Sequence, residues 1–482
     1  VKVAIVGTGY LGLVTGACLA HCGHDVVCID NDTARVAALK AGTAAMNEPG
    51  LATLVGRNRR AGKLRFTTDL ARGIAEAKIV FIAVGTPRCD DGGTDLTGLW
   101  AAGAEIAANL VTRTIVVIKS TVPVGTSAAL ARRMAAITDV PFDVASNPEF
   151  LRQGSAVDDF TNPDRVVVGA LRPDVFDCLR ELYRPILGTD RPFVAMTPES
   201  AEMTKYVASC LLATRISFIN EIANLCTLYD AHIDDVRRGI GYDRRIGFSL
   251  LAPGVGYGGS GIPQDIRAVI HMAREAGVGS QVMQAVDRAN ECQKDVLPRM
   301  ILDRLGVACR GKTVAVWGLA FKPETDDIRE SPALALIDHL LIAGVSVRVA
   351  DPRAIPNVRA VYGRQLTYCA HRYEALEGAD ALAIVTDWEE YRASDFMLMK
   401  MLMRQPILFD GRNMLDEARA IRCGFEYQGI GRHTGAPRGP EMVGMSGETE
   451  EPTIGTESFD PSRITSQASV LAAVEWSRGL QA

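Results

Sequence analysis

Residues 1–30 read VKVAIVGTGYLGLVTGACLAHCGHDVVCID. An apolar run from Val3 to Val6 has the length of a buried strand. A glycine turn follows, then a helix of small residues to about His21, then a second apolar run, Val26 to Ile29, closed by Asp30. That order is a βαβ unit. Gly7, Gly9 and Gly12 fall at the strand-to-helix turn with G-x-G-x-x-G spacing. The tight turn, the approach of backbone to a pyrophosphate, and the packing of helix on strand each call for a residue without a side chain there. Tyr10 and Leu11, between the second and third glycines, belong to the same candidate cofactor site. Asp30 stands 18 residues past Gly12, where a carboxylate accepts hydrogen bonds from an adenosine ribose and repels a 2′-phosphate. The expected cofactor is therefore NAD rather than NADP.

The alternation continues outward. Strand-like runs at Ile79 to Val84, Thr114 to Ile118, Phe142 to Ala145 and Arg165 to Val168 are separated by helical stretches, which predicts a mostly parallel, doubly wound sheet over residues 1–197. From Pro198 to about Tyr229 one long helical segment is apolar around much of its circumference, the pattern of a helix lying between domains or subunits. A second helical run spans about Pro263 to Leu305. Four further runs (Thr313 to Trp317, Ser346 to Ala350, Ala381 to Val385, Pro406 to Phe409) predict a second α/β domain at about 311–432. The fold class expected is α/β, two Rossmann-like doubly wound domains joined by a long central helix. Residues 198–310 form the central helical region. Residues 433–482, rich in Gly, Pro, Glu, Ser and Thr, have the composition of a disordered tail, with a short helix near Ala468 to Trp476.

With 482 residues, 48% hydrophobic and 23% charged, the chain has the balance of a globular protein of two or three domains. A net charge of -5 gives no general attraction to nucleic acid or to anionic membranes. No run reaches the roughly 18–20 apolar residues of a membrane span. The first segment carries glycines at fixed offsets and no convincing cleavage site, so it reads as a strand and helix rather than a secretion signal. Eleven scattered cysteines without a Cys-x-x-Cys pair suggest reduced thiols, no metal site and a cytoplasmic location. Gly85-Thr86-Pro87 and Ser120-Thr121 each follow a buried strand. There, small hydroxyl residues can hydrogen-bond a nicotinamide or a water.

The ordered segments GTGYLGLVTGACLA, VGTP, STVPVGT, SNPEFLRQGSA, NPDRVVVG, AEMTKYVASCLLATRISFINEIANLC, GVGYGGSGIPQD, GLAFKPETDDIRESPA and DGRN resemble the UDP-glucose/GDP-mannose dehydrogenase family over roughly 1–432, with spellings that lean toward the UDP-glucose branch. The resemblance implies an N-terminal NAD-binding domain, dimerisation through the long helix, and a C-terminal domain that binds the nucleotide of a sugar substrate. It also implies two successive oxidations of a primary alcohol, the second through a cysteine thioester. The residues it assigns to catalysis are Lys205, Asp265, Thr121 as a water-positioning hydroxyl, and Glu149. To substrate it assigns Phe150, Leu151, Lys205, Ser209, Tyr257, Gly258, Phe321, Lys322 and Arg412, with Arg245 crossing the dimer. Gln153 and Arg329 join the cofactor site.

Four positions depart from the family pattern. Gly261 stands where the family's nucleophilic cysteine belongs, so no thiolate can trap an aldehyde. Gln264 replaces a lysine, Gln153 a glutamate and Ser209 an asparagine, the last two read as changes near the reacting carbon. Cys210, one residue from Ser209, is turned by about 100° on the helix and reads as a core thiol. These residues favour an enzyme that keeps alcohol oxidation and drops thioester chemistry, through two-electron oxidation or a redox-neutral dehydration or epimerisation via a transient keto-sugar. The alternatives are the ordinary four-electron dehydrogenase giving UDP-glucuronate, by another nucleophile or by aldehyde hydration, and an inactive nucleotide-sugar-binding subunit.

Overall fold

A computed structural model describes residues 1–432 apart from 44, 45 and 90. The tail expected at 433–482 lies outside the described residues.

The N-terminal sheet has eight strands: β1 (Lys2–Val6), β2 (Asp25–Ile29), β3 (Leu64–Thr67), β4 (Ile79–Ile82), β5 (Thr114–Ile118), β6 (Phe142–Ser146), β7 (Val166–Gly169) and β8 (Phe193–Met196). Their order is β3-β2-β1-β4-β5-β6-β7-β8, parallel throughout except for the single β6–β7 pairing of Ser146 with Gly169. β4 and β5 are buried at every residue, as a strand covered by helices on both faces requires. The second sheet is wholly parallel, β11-β10-β9-β12-β13-β14. Its strands are β9 (Thr313–Trp317), β10 (Ser346–Ala350), β11 (Thr367–Tyr368), β12 (Ala381–Ile384), β13 (Ile407–Asp410) and β14 (Glu426–Gly429). Read from the first strand of each, the two sheets share one winding order, although no sequence repeat joins them.

One helix, Pro198–Leu228, runs between them. The run expected as one helical stretch from Pro263 to Leu305 is three helices, Ile262–Glu275, Gln281–Lys294 and Val296–Leu305. Gly277 breaks it with φ +68, a conformation glycine adopts at no steric cost, and Asp295 ends the next segment. Each sheet has its own core. That of the second is built around Trp317, stacked in a tilted arrangement on Tyr391 at 5.2 Å between centroids. Among the described residues no helix is long and apolar enough to cross a membrane.

Candidate active site

Thr197 caps the long helix, its Oγ1 accepting from the Ser200 amide at 3.2 Å, and Pro198 enters at the first turn, where its missing N–H costs nothing. Glu202, Lys205 and Ser209 then follow at i, i+3 and i+7 and share a face. Each grips a different loop. Glu202 accepts from the Gly125 amide (2.6 Å), the Ser127 amide (2.8 Å) and the Ser127 hydroxyl (2.6 Å), pinning the turn after β5. Lys205 Nζ donates to Glu149 Oε1 at 2.8 Å, in the turn after β6. Ser209 Oγ donates to Asp265 Oδ2 at 2.6 Å, in the first turn of Ile262–Glu275.

The charges are buried and unequal. Burial pulls the Lys205 ammonium down, but the Glu149 and Asp265 carboxylates outweigh it and leave Lys205 above its ordinary value. Burial pushes Glu149 up, and Lys205, the Leu151 amide and Lys119 together reverse that, so Glu149 stays below the usual carboxylate range. At Asp265 burial wins over Lys205 and the Ser209 hydrogen bond, and the acid is pushed up to about 6. Two carboxylates around one lysine thus divide into a fixed anion and a group that exchanges its proton near neutrality.

Gly261 precedes the Asp265 helix as its N-cap residue, with φ -78 and no side chain to cap it. It is exposed, and a Cβ built there would meet nothing within 4 Å. Gln264 Nε2 donates to the Thr86 carbonyl at 2.8 Å, and Thr86 Oγ1 donates to the Thr121 carbonyl at 2.9 Å, so Gln264 ties both turns together. Gly258 is different from Gly261. A Cβ there would lie 2.3 Å from the Glu330 carbonyl oxygen, so this segment presses on the second domain only because it lacks side chains. Tyr257 is buried with Cys210 and Ile266.

Arg412 reaches the same segment from beyond β13. Its guanidinium donates to the carbonyls of Val385 (2.7 Å), Gly256 (3.3 Å) and Phe321 (3.3 Å), and burial lowers its hold on the proton. Lys322 sits over the Phe321 ring at 5.9 Å and is also pulled down by burial. The Phe150 ring lies 3.6 Å from the Arg165 guanidinium and 5.8 Å from Lys205 Nζ.

At the other end, Gly7 has φ +98, and a Cβ on Gly12 would sit 1.9 Å from the Gly7 carbonyl oxygen, so the turn admits no other residue. Gly9 and Gly85 have nothing within 4 Å of a built Cβ, which leaves backbone open to a dinucleotide. Asp30 accepts from the Thr8 amide and hydroxyl, both at 2.7 Å, and from the Asp32 amide at 3.0 Å. Burial pushes it up and these bonds pull it lower, so it is ionised and poised at the end of β2. Ser120 Oγ donates to the Val84 carbonyl at 2.7 Å, while Pro87 accepts from the Asp95 amide at 2.8 Å. The residues present fit NAD.

Two expectations need correction or qualification. Gln153, expected both beside the reacting carbon and in the cofactor site, donates to Asp327 (3.3 Å) and accepts from Thr325 (3.4 Å), away from Lys205. It lines a cavity of about 270 Å³ with Tyr10 and Arg329. The reason is Glu48, a buried acid that the sequence reading missed. It accepts from the Tyr10 hydroxyl (2.5 Å) and the Gly154 and Ala156 amides (2.7 Å each), turning this loop toward the cofactor end. Arg329 itself is held by Asp327 at 2.6 Å. Arg245 is not brought to the site within one protomer; its side chain is 89% exposed and paired with Asp243. Cys210 faces the core, where burial pushes its thiol up to about 12, too weak an acid to serve as a displaced nucleophile.

Comparison with known proteins decides the lineage. Residues 1–187, 199–292 and 315–417 match, in order, the NAD binding domain, the central domain and the UDP binding domain of the UDP-glucose/GDP-mannose dehydrogenase family. The chain belongs to that family. It is 46% identical over 444 residues to a UDP-glucose 6-dehydrogenase of Pseudomonas aeruginosa, covering 89% of this chain and 97% of the relative. It is 44% identical over 436 residues to the enzyme of that name from Rhizobium meliloti, covering 89% and 99%. A UDP-glucose dehydrogenase structure from Pyrobaculum islandicum superposes with a TM-score of 0.83 at 36% identity, covering 89% of this chain and 98% of that one. As a member of the family, the chain is an NAD-dependent nucleotide-sugar dehydrogenase with a UDP binding domain. All the relatives named here are dehydrogenases, and they lend no support to dehydration or epimerisation.

Proposed function

We propose that this family member is a UDP-sugar 6-dehydrogenase that performs both oxidations of the primary alcohol, the second through the hydrated aldehyde instead of a thioester. The observation that carries the reading is the assembled Lys205–Glu149 and Ser209–Asp265 pairs beside a Gly261 that offers open space and no sulfur. When bound, NAD supplies the hydride acceptor. Gly7, Gly9, Gly12 and Asp30 would hold it. The chain's own residues handle the proton: a water held by Asp265 and Thr121 receives it from the alcohol, whose oxygen the Lys205 ammonium holds by a hydrogen bond, as the C–H electron pair leaves. Water then adds across the C=O of the aldehyde, its oxygen bonding to carbon and one proton passing by way of Asp265 to the former carbonyl oxygen. The hydrate is again an alcohol, and the same groups take its proton as the second C–H pair departs, leaving the carboxylic acid. The same reading includes a homodimer through the long helix, with Arg245 reaching the partner's sugar.

Following NADH and product together on UDP-glucose tests this. Two NADH per sugar and a carboxylate are expected, with both carboxylate oxygens open to label from oxygen-18 water through the hydrate. A second reading, favoured by Gly261 itself, stops at the aldehyde; one NADH per sugar with an aldehyde product would establish it. A rearranged or dehydrated sugar without NADH would overturn both.

A further inference from the structure

Lys119 follows β5 directly and leads into Ser120 and Thr121. Its residue is only 5% exposed, which is rare for lysine. An ammonium carries three donors. The described residues give Lys119 Nζ one hydrogen-bond acceptor, the Asn147 side-chain oxygen at 3.1 Å. That partner is an amide and brings no compensating charge. The same oxygen accepts from the Tyr183 hydroxyl at 2.5 Å, and the Asn147 amide donates to the Val167 carbonyl at 2.7 Å. The rings of Phe160 and Tyr183 lie 6.0 and 5.9 Å from Nζ.

A methionine would fill this place without desolvating a charge. What the charge adds is set by its neighbours. Asn147 is two residues before Glu149, so the bond from Lys119 fixes the turn that presents Glu149 to Lys205. The charged groups that act on Lys119 are Glu149, which favours its proton, and Lys205, which opposes it; Tyr183 is the other titratable group facing it, and Asp265 acts on the cluster through Lys205. Burial pulls Lys119 down to about 8, so it still carries its charge at neutrality.

We propose that Lys119 is a positioning residue for the oxidation: its buried ammonium, seated on Asn147, holds the turn that aims Glu149 at Lys205. This rests on the reading of Lys205 as the group that holds the reacting oxygen under the proposed function. The two are separable, because full turnover by Lys205→Ala would sink that reading whatever Lys119 does.

The test is the split of kcat from KM for the full chain with UDP-glucose and NAD. Lys119→Met should lower kcat about tenfold, with KM for UDP-glucose and NAD affinity by fluorescence titration unchanged. Lys119→Arg, which keeps the charge and the donors, should restore most of kcat. Asn147→Leu removes the ammonium's seat and should lower kcat in the same way as Lys119→Met; it carries the test if the methionine variant does not fold. A parental kcat in Lys119→Met, or in Asn147→Leu where that variant stands in, would overturn the proposal. So would a kcat that falls as far in Lys119→Arg as in Lys119→Met.

Discussion

Ser209 Oγ donates a 2.6 Å hydrogen bond to Asp265 Oδ2, joining the middle of the long helix to the first turn of the helix that Gly261 precedes. A hydroxyl at this position favours the ionised carboxylate, yet burial still raises Asp265 to about 6. The site therefore holds its acid close to the pH at which it must work.

The sign of that shift has two consequences. Because the folded value is raised, the folded state prefers the protonated acid: the stabilisation is full below 3.8, the ordinary value, and is lost as pH rises through about 6. Activity runs oppositely, since the base must be ionised, and kcat/KM is expected to fall about tenfold per pH unit below pH 6. Ser209→Ala removes a donor to the anion and should move that limb up by about half a unit. A limb unmoved by the substitution would show that Asp265 does not set it.

Lys205→Ala and Asp265→Asn should each lower kcat by about 10²–10⁴. Both side chains are enclosed by the elements they join, so the control is NAD binding together with the near-ultraviolet circular dichroism. Retained binding with lost turnover is the expected result; equal loss of both would mean the substitutions act through folding.

Gly261 has an ordinary φ of -78 and open space at Cβ. Gly261→Cys should therefore fold with a Tm close to that of the parent and gain one iodoacetamide-reactive thiol, since a helix N-terminus favours thiolate. If the hydrate route is limiting, acid formation should also quicken in single-turnover measurements. An inert thiol would show that Gln264, in place of a basic residue, leaves the sulfur unactivated.

The central strands and the dinucleotide turn were legible because their signals are local: apolar runs flanked by turns, and glycines at fixed offsets. β3, β8, β11 and β14 went unread. They carry exposed or half-exposed residues, as edge strands do, and β11 is two residues long. Lys205, Glu149, Ser209 and Asp265 were named from motif resemblance, but their pairing depends on three loops meeting one helix face. Glu48, Lys119 and Glu202 were missed for the same reason, since each bonds a partner distant in sequence. Glu202 left a trace, an acid three residues before Lys205 on a mostly apolar helix.

Glu202 satisfies the Gly125 and Ser127 amides at the start of helix Thr126–Ala135 and is 2% exposed. Glu202→Ala leaves those donors buried and unpaired, for an expected loss of about 2–4 kcal/mol. Denaturant midpoints measure it. Because the same turn carries Thr121, kcat should fall as well, and a variant with parental stability would remove Glu202 from the account of how the site is held.

Along the long helix Met203, Val207, Leu211, Phe218 and Leu225 are each more than 40% exposed. Their spacing of four, four, seven and seven residues puts them on one stripe, which is the pattern of a seam awaiting a second helix. The opposite face carries Glu202, Ser209, Asn220 and Ala223 into the protein. A contiguous apolar stripe of this length is not the ordinary surface of a monomer. Leu211→Glu with Phe218→Glu should therefore halve the mass measured by analytical ultracentrifugation. Arg245, exposed on its own protomer, would lose its sugar at the same time, so KM for the nucleotide sugar should rise while NAD affinity holds. A chain that sediments as a monomer before substitution would refute the homodimer and leave Arg245 without a substrate to reach.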